Sequence, residues 1–346
     1  MGRCVVSELL AGTVDELLAA QARPEAVWDA ALWARLADLG LTGIGVPEDA
    51  GGAGGTLEDA AVVVRACGYH AAGVPLADHA FLATWALTRA GRPVPDGPLT
   101  AAIVPALETT PTGAATGTLP AVPWARHAAR VVVVVPDGDR PRVVVVDPAR
   151  ARLVEGKNLA GEPRDDVVLD RAPADVHDVP GTDLAAAGAR GALGRAVAIC
   201  GAARRVLDLT VRYAGEREQF GRPIGRFQAV QQELSELAGA VEQADAMAGQ
   251  AVALAGGDPD AARAAAAAAK ICAGRAARAA ITTGHQVHGA LGFTSEHVLH
   301  HLTRRLLAWR DEHGAEPVWA AALGETVAAG GADTLWHLLT TGGPQA

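Results

Sequence analysis

The second half of the chain, from about residue 183 onward, consists of long Ala- and Leu-rich stretches separated by short breaks. Their apolar spacing predicts four helices, over about residues 184–215, 226–254, 258–288 and 295–310. Asp258 is expected to cap the third helix at its start. Because the connections are short, consecutive helices must run antiparallel beside one another. This half of the chain therefore predicts an antiparallel four-helix bundle.

Residues 97–180 differ in composition, because runs of β-branched residues alternate there with Pro, Asp and Gly. Val131–Val135 and Val143–Val146 flank the turn-forming stretch 136–141, which predicts a β-hairpin. Val167–Leu169 predicts one further strand. The region is expected to form a small antiparallel β domain with short strands.

The first 95 residues are expected to be helical. Trp28, Leu32, Leu36 and Leu39 fall near helical spacing, and Gly40 ends that helix. The order of the three blocks predicts an α+β protein. Its domains would be a helical domain at 1–96, a middle β domain at 97–182 and the four-helix bundle at 183–346.

A glycine-rich loop, residues 46–55, follows the first predicted helix and leads to Thr56 as an N-cap. Such a loop could bind phosphate. No Lys or Ser/Thr follows it at P-loop spacing, so a tight turn between packed helices is the favoured interpretation.

Charge and cysteine content exclude several classes of protein. The formal net charge is −9, and no basic stripe is present that could neutralise nucleic-acid phosphates. The four cysteines, Cys4, Cys67, Cys200 and Cys272, form no CxxC or Cys/His cluster. We expect reduced thiols in a cytoplasmic protein and no metal site. We also expect no signal peptide and no membrane span, because the apolar runs are interrupted by Arg or Lys.

Two polar segments between the predicted helices carry the most specific chemistry. The first, 217–228, reads Arg-Glu-Gln-Phe-Gly-Arg-Pro-Ile-Gly-Arg-Phe-Gln, and the second, 286–294, reads Gln-Val-His-Gly-Ala-Leu-Gly-Phe-Thr. Arginine offers phosphate oxygens a planar, permanently charged fork, and glycine lets backbone N–H groups approach closely. Together the segments predict a site for an extended, polyanionic ligand lying across helix ends.

Both segments, together with the stretch from Leu32 to Gly54, resemble the acyl-CoA dehydrogenases, and the resemblance covers nearly the whole chain. It implies FAD as the cofactor. Arg217, Gln219 and Phe220 would contact the FAD pyrophosphate and adenosine end, with Phe227 and Gln228 alongside. The backbone of the second segment would hold the adenosine end from the neighbouring subunit, through Gln286, Val287, His288, Gly289 and Ala290.

Each half of this site also has a structural alternative. Arg217 could be an exposed helix-end arginine paired with Glu216 or Glu218. Gln286 and His288 could serve to cap the helix beside Gly289.

The catalytic base is where the chain departs from the family. Removal of an α-proton, while hydride leaves the β-carbon for the flavin, uses a glutamate at one of two positions in the family. The resemblance places these positions at His313 and at Gly191. Glu312 could supply the base if the turn is shifted by one residue, or His313 could act instead because imidazole titrates near neutrality. Alternatively the chain supplies no base, and the acids near 311 form solvated ion pairs.

The predicted middle domain also departs from the family's sequence pattern. The family's Gly-Ser-Asp-like and Gly-x-Lys-x-Trp/Tyr-Ile-Thr-like stretches, which contact the isoalloxazine ring and the thioester, have no counterpart between 97 and 180. Trp124 is typical of a buried core aromatic rather than of a flavin contact.

These departures resemble a bacterial subgroup that degrades sterol side chains or other bulky acyl groups. In that subgroup two related subunits form a heterotetramer, and one can lack the base while completing its partner's FAD site. The implied reaction is α,β-dehydrogenation of an acyl-CoA, with an electron-transfer flavoprotein as acceptor. The alternatives are a silent subunit in such a heterotetramer and an altered flavin oxidase or monooxygenase. A homo-oligomer is equally open.

Overall fold

The computed structural model describes residues 2–24, 28–138, 140–179 and 183–341. They form two compact units. Unit 1 comprises Met1–Leu10, Ala26–Val63 and Gly73–Gly194, and unit 2 comprises Ala11–Glu25, Val64–Ala72 and Arg195–Ala346. The predicted division into three domains stays a prediction, and its second boundary adjoins residues 180–182, which lie outside the described residues.

Five helices occupy the first third of the chain: α1 Gly2–Gln21, α2 Ala30–Asp38, α3 Leu57–Tyr69, α4 Leu76–Asp78 and α5 Thr84–Arg89. A π-helical turn, His79–Ala83, joins the last two. Helix α2 begins where Asp29 accepts the Leu32 N–H at 2.9 Å, and Gly40 follows its end at φ +71°. The helical first block is thereby confirmed, although Trp28 precedes the helix and Leu39 is exposed.

The glycine-rich loop is a tight turn, as favoured. Its amides bond within the loop: Gly51 donates to the Glu48 carbonyl, Gly52 to Pro47 and Gly54 to Val46. A Cβ on Gly52 would lie 2.2 Å from the Val46 carbonyl oxygen, so the chain has no room there for a side chain. With these N–H groups already used, the loop does not offer them to a phosphate.

The middle of the chain forms one seven-stranded sheet in unit 1. Its strands are β1 Leu99–Ile103, β2 Glu108–Thr109, β3 Ala114–Pro123, β4 Arg130–Asp137, β5 Arg140–Val146, β6 Arg152–Val154 and β7 Arg164–Asp178. The order is β1-β4-β5-β7-β3-β2, with β6 also pairing with β7. The predicted hairpin is β4–β5, with Val133 opposite Val144.

Two expectations for the sheet were wrong. Strands β1 and β4 pair in parallel, so the sheet is not wholly antiparallel. Strands β3 and β7 run for 10 and 15 residues rather than as short segments. The predicted strand Val167–Leu169 lies within β7, but the Asp residues and Pro173 concealed its full length, because cross-strand pairing with β3 and β5 outweighs their poor local propensity.

The unbroken valine run of β4 reflects burial on both faces of the sheet. Val131, Val133 and Val135 pack into one core with Leu119 and Val167. Val132 and Val134 pack into the other core, with Leu82, Leu87 and Val143. A strand covered on both sides reads as continuously apolar rather than alternating.

The second half contains α6 Leu184–Glu216, α7 Gln228–Leu254, α8 Pro259–His288, α9 Leu299–Trp309 and α10 Glu316–Thr341. Asp258 caps α8 as predicted, accepting the Ala261 N–H at 2.8 Å. The fourth predicted helix begins at Leu299 instead of 295, after a 3-10 turn at Gly289–Phe293. Helix α10 was not predicted, because glycines at 324, 330 and 331 interrupt its pattern.

Candidate functional site

The first predicted segment is a two-stranded hairpin between α6 and α7. Strand β8 Glu218–Gln219 pairs with β9 Arg222–Pro223. The two turn residues, Phe220 and Gly221, both have positive φ, at +52° and +78°, as a tight hairpin turn requires. Glycine adopts this conformation readily, but a phenylalanine does so at a cost of about 1–3 kcal/mol.

The hairpin presents its polar groups to solvent. Phe220 is 94% exposed, and Arg217, Gln219 and Gln228 are exposed as well. In the described part of the chain no ion pair joins Arg217 to Glu216 or Glu218, the alternative considered for it. An exposed aromatic residue held in a strained conformation, beside a free guanidinium, is an arrangement suited to binding rather than to folding.

The second predicted segment is the end of α8 and the turn that follows. Gln286, Gly289 and Ala290 are exposed, Val287 is half-buried and His288 is buried. Gly289 ends the helix at φ +57°, and its N–H donates to the His285 carbonyl. The glycine N–H and the His288 side chain both contribute to the cap, since His288 Nδ1 lies 2.8 Å from the Gly284 carbonyl oxygen. A Cβ on Gly289 would meet nothing within 4 Å, so space is open beside this turn.

The fold brings the two segments together within one chain. The His288 ring stacks on the Tyr213 ring, with centroids 4.6 Å apart and planes 19° from parallel. The Tyr213 carbonyl accepts the Arg217 N–H at 2.8 Å, so the stack lies directly beneath the start of the hairpin. The carboxyl ends of α6 and α8 thus present Arg217 and the 286–290 turn at the same end of the bundle.

The residues present fit the adenosine diphosphate end of FAD. Arg217 and Gln219 are exposed hydrogen-bond donors. The Gln219 side chain donates to the neighbouring Glu218 carbonyl, and the Arg217 side chain donates to no described group. The Nε2 atom of His288 is buried and has no hydrogen-bond partner. When bound, FAD would supply the hydride acceptor, and these residues would hold its diphosphate and adenosine.

The two catalytic candidates lie in the turn between α9 and α10. Glu312 forms an ion pair with Arg195 of α6, with Nη2 and Oε2 3.0 Å apart. The Arg195 side chain is 5% exposed and that of Glu312 is 21% exposed. The Arg195 guanidinium also lies over the Trp309 ring, 5.6 Å from its centroid. The carboxylate of Glu312 is thus bound to a buried cation.

The backbone of this turn is held from a third helix. Lys270 of α8 is 1% exposed, and its Nζ donates to the carbonyls of Arg310 and Gly314 at 2.7 and 2.8 Å. Burial, together with the nearby charge of Arg195, lowers the pKa of Lys270 to about 8. His313 adopts φ +54°, and its carbonyl accepts the Trp319 Nε1–H at 2.9 Å.

Sequence reasoning missed the three residues that organise the site: Tyr213, Arg195 and Lys270. The last two were noted only as interruptions of apolar runs. A cation within an apolar run of a helix indicates a buried ion pair or hydrogen bond, because burying the charge requires a partner. Which partner it finds could not be read locally.

Trp124 is a buried core aromatic, as expected. It is 2% exposed, adopts φ +53°, and its ring lies 6.3 Å from those of Trp28 and His127.

The described residues contain neither a metal-binding cluster nor a membrane-spanning helix. No group of three or more His, Cys, Asp or Glu side chains in the described ranges is arranged to hold a metal ion. Within the same ranges, every helix is too short or too polar to cross a membrane.

Comparison with known proteins agrees with the fold. Residues 186–327 match the acyl-CoA dehydrogenase C-terminal domain, and residues 3–94 match the N-terminal domain. Acyl-CoA dehydrogenase IpdE2 of Mycolicibacterium smegmatis is 32% identical over 305 residues, covering 84% of this chain and 88% of that protein.

Two solved structures share the whole architecture. The ChsE4-ChsE5 complex from Mycobacterium tuberculosis has a TM-score of 0.85 and 27% identity, over 93% of this chain and 97% of that one. A variant of the Tcur3481-Tcur3483 steroid ACAD has a TM-score of 0.83 and 25% identity, over 94% and 98%. With both terminal domains matched and a relative above 30% identity along most of its length, this chain belongs to the acyl-CoA dehydrogenase family, whose members are FAD-dependent oxidoreductases.

Proposed function

We propose that this chain serves FAD-dependent α,β-dehydrogenation of an acyl-CoA thioester as the flavin-holding subunit, while a homologous chain supplies the base. The observation that carries the proposal is the ion pair between Glu312 and the buried Arg195. The carboxylate lies 3.0 Å from a buried guanidinium that requires a counter-charge, so it is committed to a structural ion pair. The other family position for the base is Gly191, which has no side chain.

The groups that remain favour a binding role. Arg217 would bind the FAD diphosphate through a charge-assisted contact, with Gln219 and the exposed Phe220 beside it. The 286–290 turn would hold the adenosine, because its helix end and open glycine allow close approach. Holding the cofactor in one orientation and excluding water from it are contributions that need no proton transfer by this chain.

Two similar proteins support a two-chain assembly. The solved relatives are described as the ChsE4-ChsE5 complex and as the Tcur3481-Tcur3483 steroid ACAD. By extension, we propose a heterotetramer with a homologous subunit, a bulky ring-containing acyl group as substrate, and an electron-transfer flavoprotein as acceptor. Activity in the cytoplasm belongs to the same proposal.

A second candidate function is dehydrogenation by this chain alone, with Glu312 or His313 as the base. The partial exposure of Glu312, at 21%, favours it, because the carboxylate is not sealed inside the bundle. Substrate binding would then have to displace Arg195 from the ion pair.

One experiment separates the two. The chain is purified alone and together with a homologous chain that carries a glutamate base, and flavin bleaching is followed after addition of straight-chain and steroid acyl-CoAs. The proposal expects bleaching only in the two-chain sample, with Glu312→Gln in this chain having no effect on the rate. Bleaching by the isolated chain, abolished by Glu312→Gln, would establish the second candidate instead.

A further inference from the structure

Histidines are concentrated beside the predicted adenosine-binding turn. Five of the chain's 11 histidines lie between residues 285 and 301. Four of them form two ring pairs. The His288 and His297 centroids are 4.9 Å apart, and those of His300 and His301 are 3.9 Å apart. His285 stacks on Phe293 at 4.2 Å. The proposed function does not by itself explain such a cluster.

His288 stands at its centre and is 3% exposed. Its Nδ1 lies 2.8 Å from the Gly284 carbonyl oxygen. A carbonyl only accepts, so Nδ1 must carry the hydrogen. In the neutral ring Nε2 is then a bare lone pair, and this buried atom has no partner among the described residues.

The groups facing His288 disfavour its charged form. They are the Tyr213 ring from α6, His285 from α8 and His297 from the segment before α9. Burial lowers the pKa of His288, and the positive charges that His297 and His285 would carry lower it further, against the Gly284 carbonyl. The pKa of His285 and of His297 is lowered likewise, by burial and by His300. Among the described residues no carboxylate is a cause of the shift, so burial and the neighbouring histidines favour the neutral ring in the free protein.

An anionic ligand reverses this balance. A neutral His288 would turn a lone pair towards a phosphate, which is repulsive, whereas an imidazolium would donate a charge-assisted hydrogen bond from Nε2. Resting on the proposed function, we infer that His288 binds the dinucleotide's diphosphate as an imidazolium, and that binding takes up one proton from solvent. The proton leaves water or a buffer acid and forms an N–H bond at Nε2, and nothing is oxidised or reduced.

The linkage between proton uptake and ligand binding sets the expected size of the pH effect on affinity. Where His288 is charged in the complex and neutral in the free protein, affinity increases about tenfold for each unit that the pH falls. The histidine cluster then makes flavin retention stronger in mildly acidic than in alkaline solution. The charge on Arg217 is constant across this range and cannot produce the effect.

The test is calorimetric titration of the full chain with FAD and, separately, with ADP-ribose. Both ligands carry a bridging diphosphate that stays doubly charged between about pH 6 and pH 8. Titrations at about pH 7 in two buffers of different ionisation enthalpy measure the protons exchanged directly. We expect uptake of roughly half a proton or more, together with affinity that weakens towards pH 8.

His288→Gln is the decisive variant, because its amide can still donate to the Gly284 carbonyl but cannot titrate. It should bind without proton uptake and with a flat pH profile. His177→Gln, on β7 in unit 1, is the matched control and should keep the uptake of the unchanged protein.

Binding of either ligand without proton uptake, or uptake that persists in His288→Gln, overturns the inference and leaves the proposed function standing. Failure of both ligands to bind at any pH removes the proposed function, and the inference with it.

Discussion

His79 should make unit 1 sensitive to acid. It is 3% exposed, and both ring nitrogens are used: Nε2 donates to the Thr42 carbonyl at 3.0 Å, and Nδ1 accepts the Leu99 N–H at 3.0 Å. The ring also meets Trp33 edge-on at 5.1 Å. The neutral imidazole therefore links Thr42, in the loop that follows α2, to Leu99, the first residue of β1. Protonation of the ring would place a second ring hydrogen against the Leu99 N–H.

The magnitude follows from the pKa of His79, which burial lowers from 6.5 to about 4 despite the hydrogen bond to Thr42. The unfolded chain therefore takes up a proton before the folded one does. The stability from neutral His79 is fully present above about pH 6.5 and is lost as the pH falls towards 4. At 1.36 kcal/mol for each tenfold step, the loss is about 2 kcal/mol at pH 5 and about 3 kcal/mol by pH 4.

The assay is urea unfolding at about pH 7.5 and pH 5, with the unchanged protein compared with His79→Gln. Glutamine can donate to Thr42 and accept from Leu99, but it does not titrate in this range. Other half-buried histidines add to the total pH dependence, so the difference between the two proteins isolates His79. We expect the variant's stability to fall by about 2 kcal/mol less between the two pH values.

A direct readout accompanies it. In heteronuclear NMR the His79 ring should remain the Nε2–H tautomer at pH 5, and the Leu99 amide should stay protected from exchange. An imidazole that titrates near pH 6.5, or an equal pH dependence in both proteins, would refute the reasoning.

Three further experiments test the rest of the structure. Arg217→Ala should weaken FAD binding by about 1.5–3 kcal/mol, since one charge-assisted contact is lost; unchanged flavin content after gel filtration would count against the site. A double-mutant cycle of Arg195→Met and Glu312→Gln should show a coupling of roughly 1–3 kcal/mol in urea unfolding, and additive effects would mean that the ion pair is not formed. Gly201→Ala should destabilise unit 2 by about 1–3 kcal/mol, because its Cβ would lie 2.0 Å from a backbone carbonyl oxygen; thermal stability equal to the parent's would contradict that packing.

Two matched controls accompany these variants. Arg263→Ala removes a half-buried arginine that pairs with Asp260 on α8, and it should leave FAD affinity unchanged. Gly239→Ala lies inside α7 with nothing within 4 Å of the new Cβ. It should stabilise the helix by about 0.5–1 kcal/mol, because alanine loses less backbone entropy than glycine.

Local pattern was enough for much of the fold. The β4–β5 hairpin follows from two valine runs around a Pro/Asp/Gly turn, and α8 begins after Asp258, the residue expected to cap it. The glycine-rich loop was correctly separated from a phosphate-binding loop, because the residues that phosphate chemistry requires were missing. The full length of strand β7 and the whole of helix α10 were not found, since both depend on neighbours more than on their own composition.

What the amino-acid order determined by itself is the succession of helices, sheet and helices, and the prediction that two short segments carry donors for an extended, polyanionic ligand. These properties depend on period, turn chemistry and residue type within a few positions of one another. Only the tertiary structure decided that Glu312 is bound to Arg195, that Tyr213 stacks on His288, and that β1 lies parallel to β4. Each of these three contacts joins residues that are far apart in the chain. A buried charge, ring or strand edge needs a partner, and the packing of the fold determines which residue lies beside it.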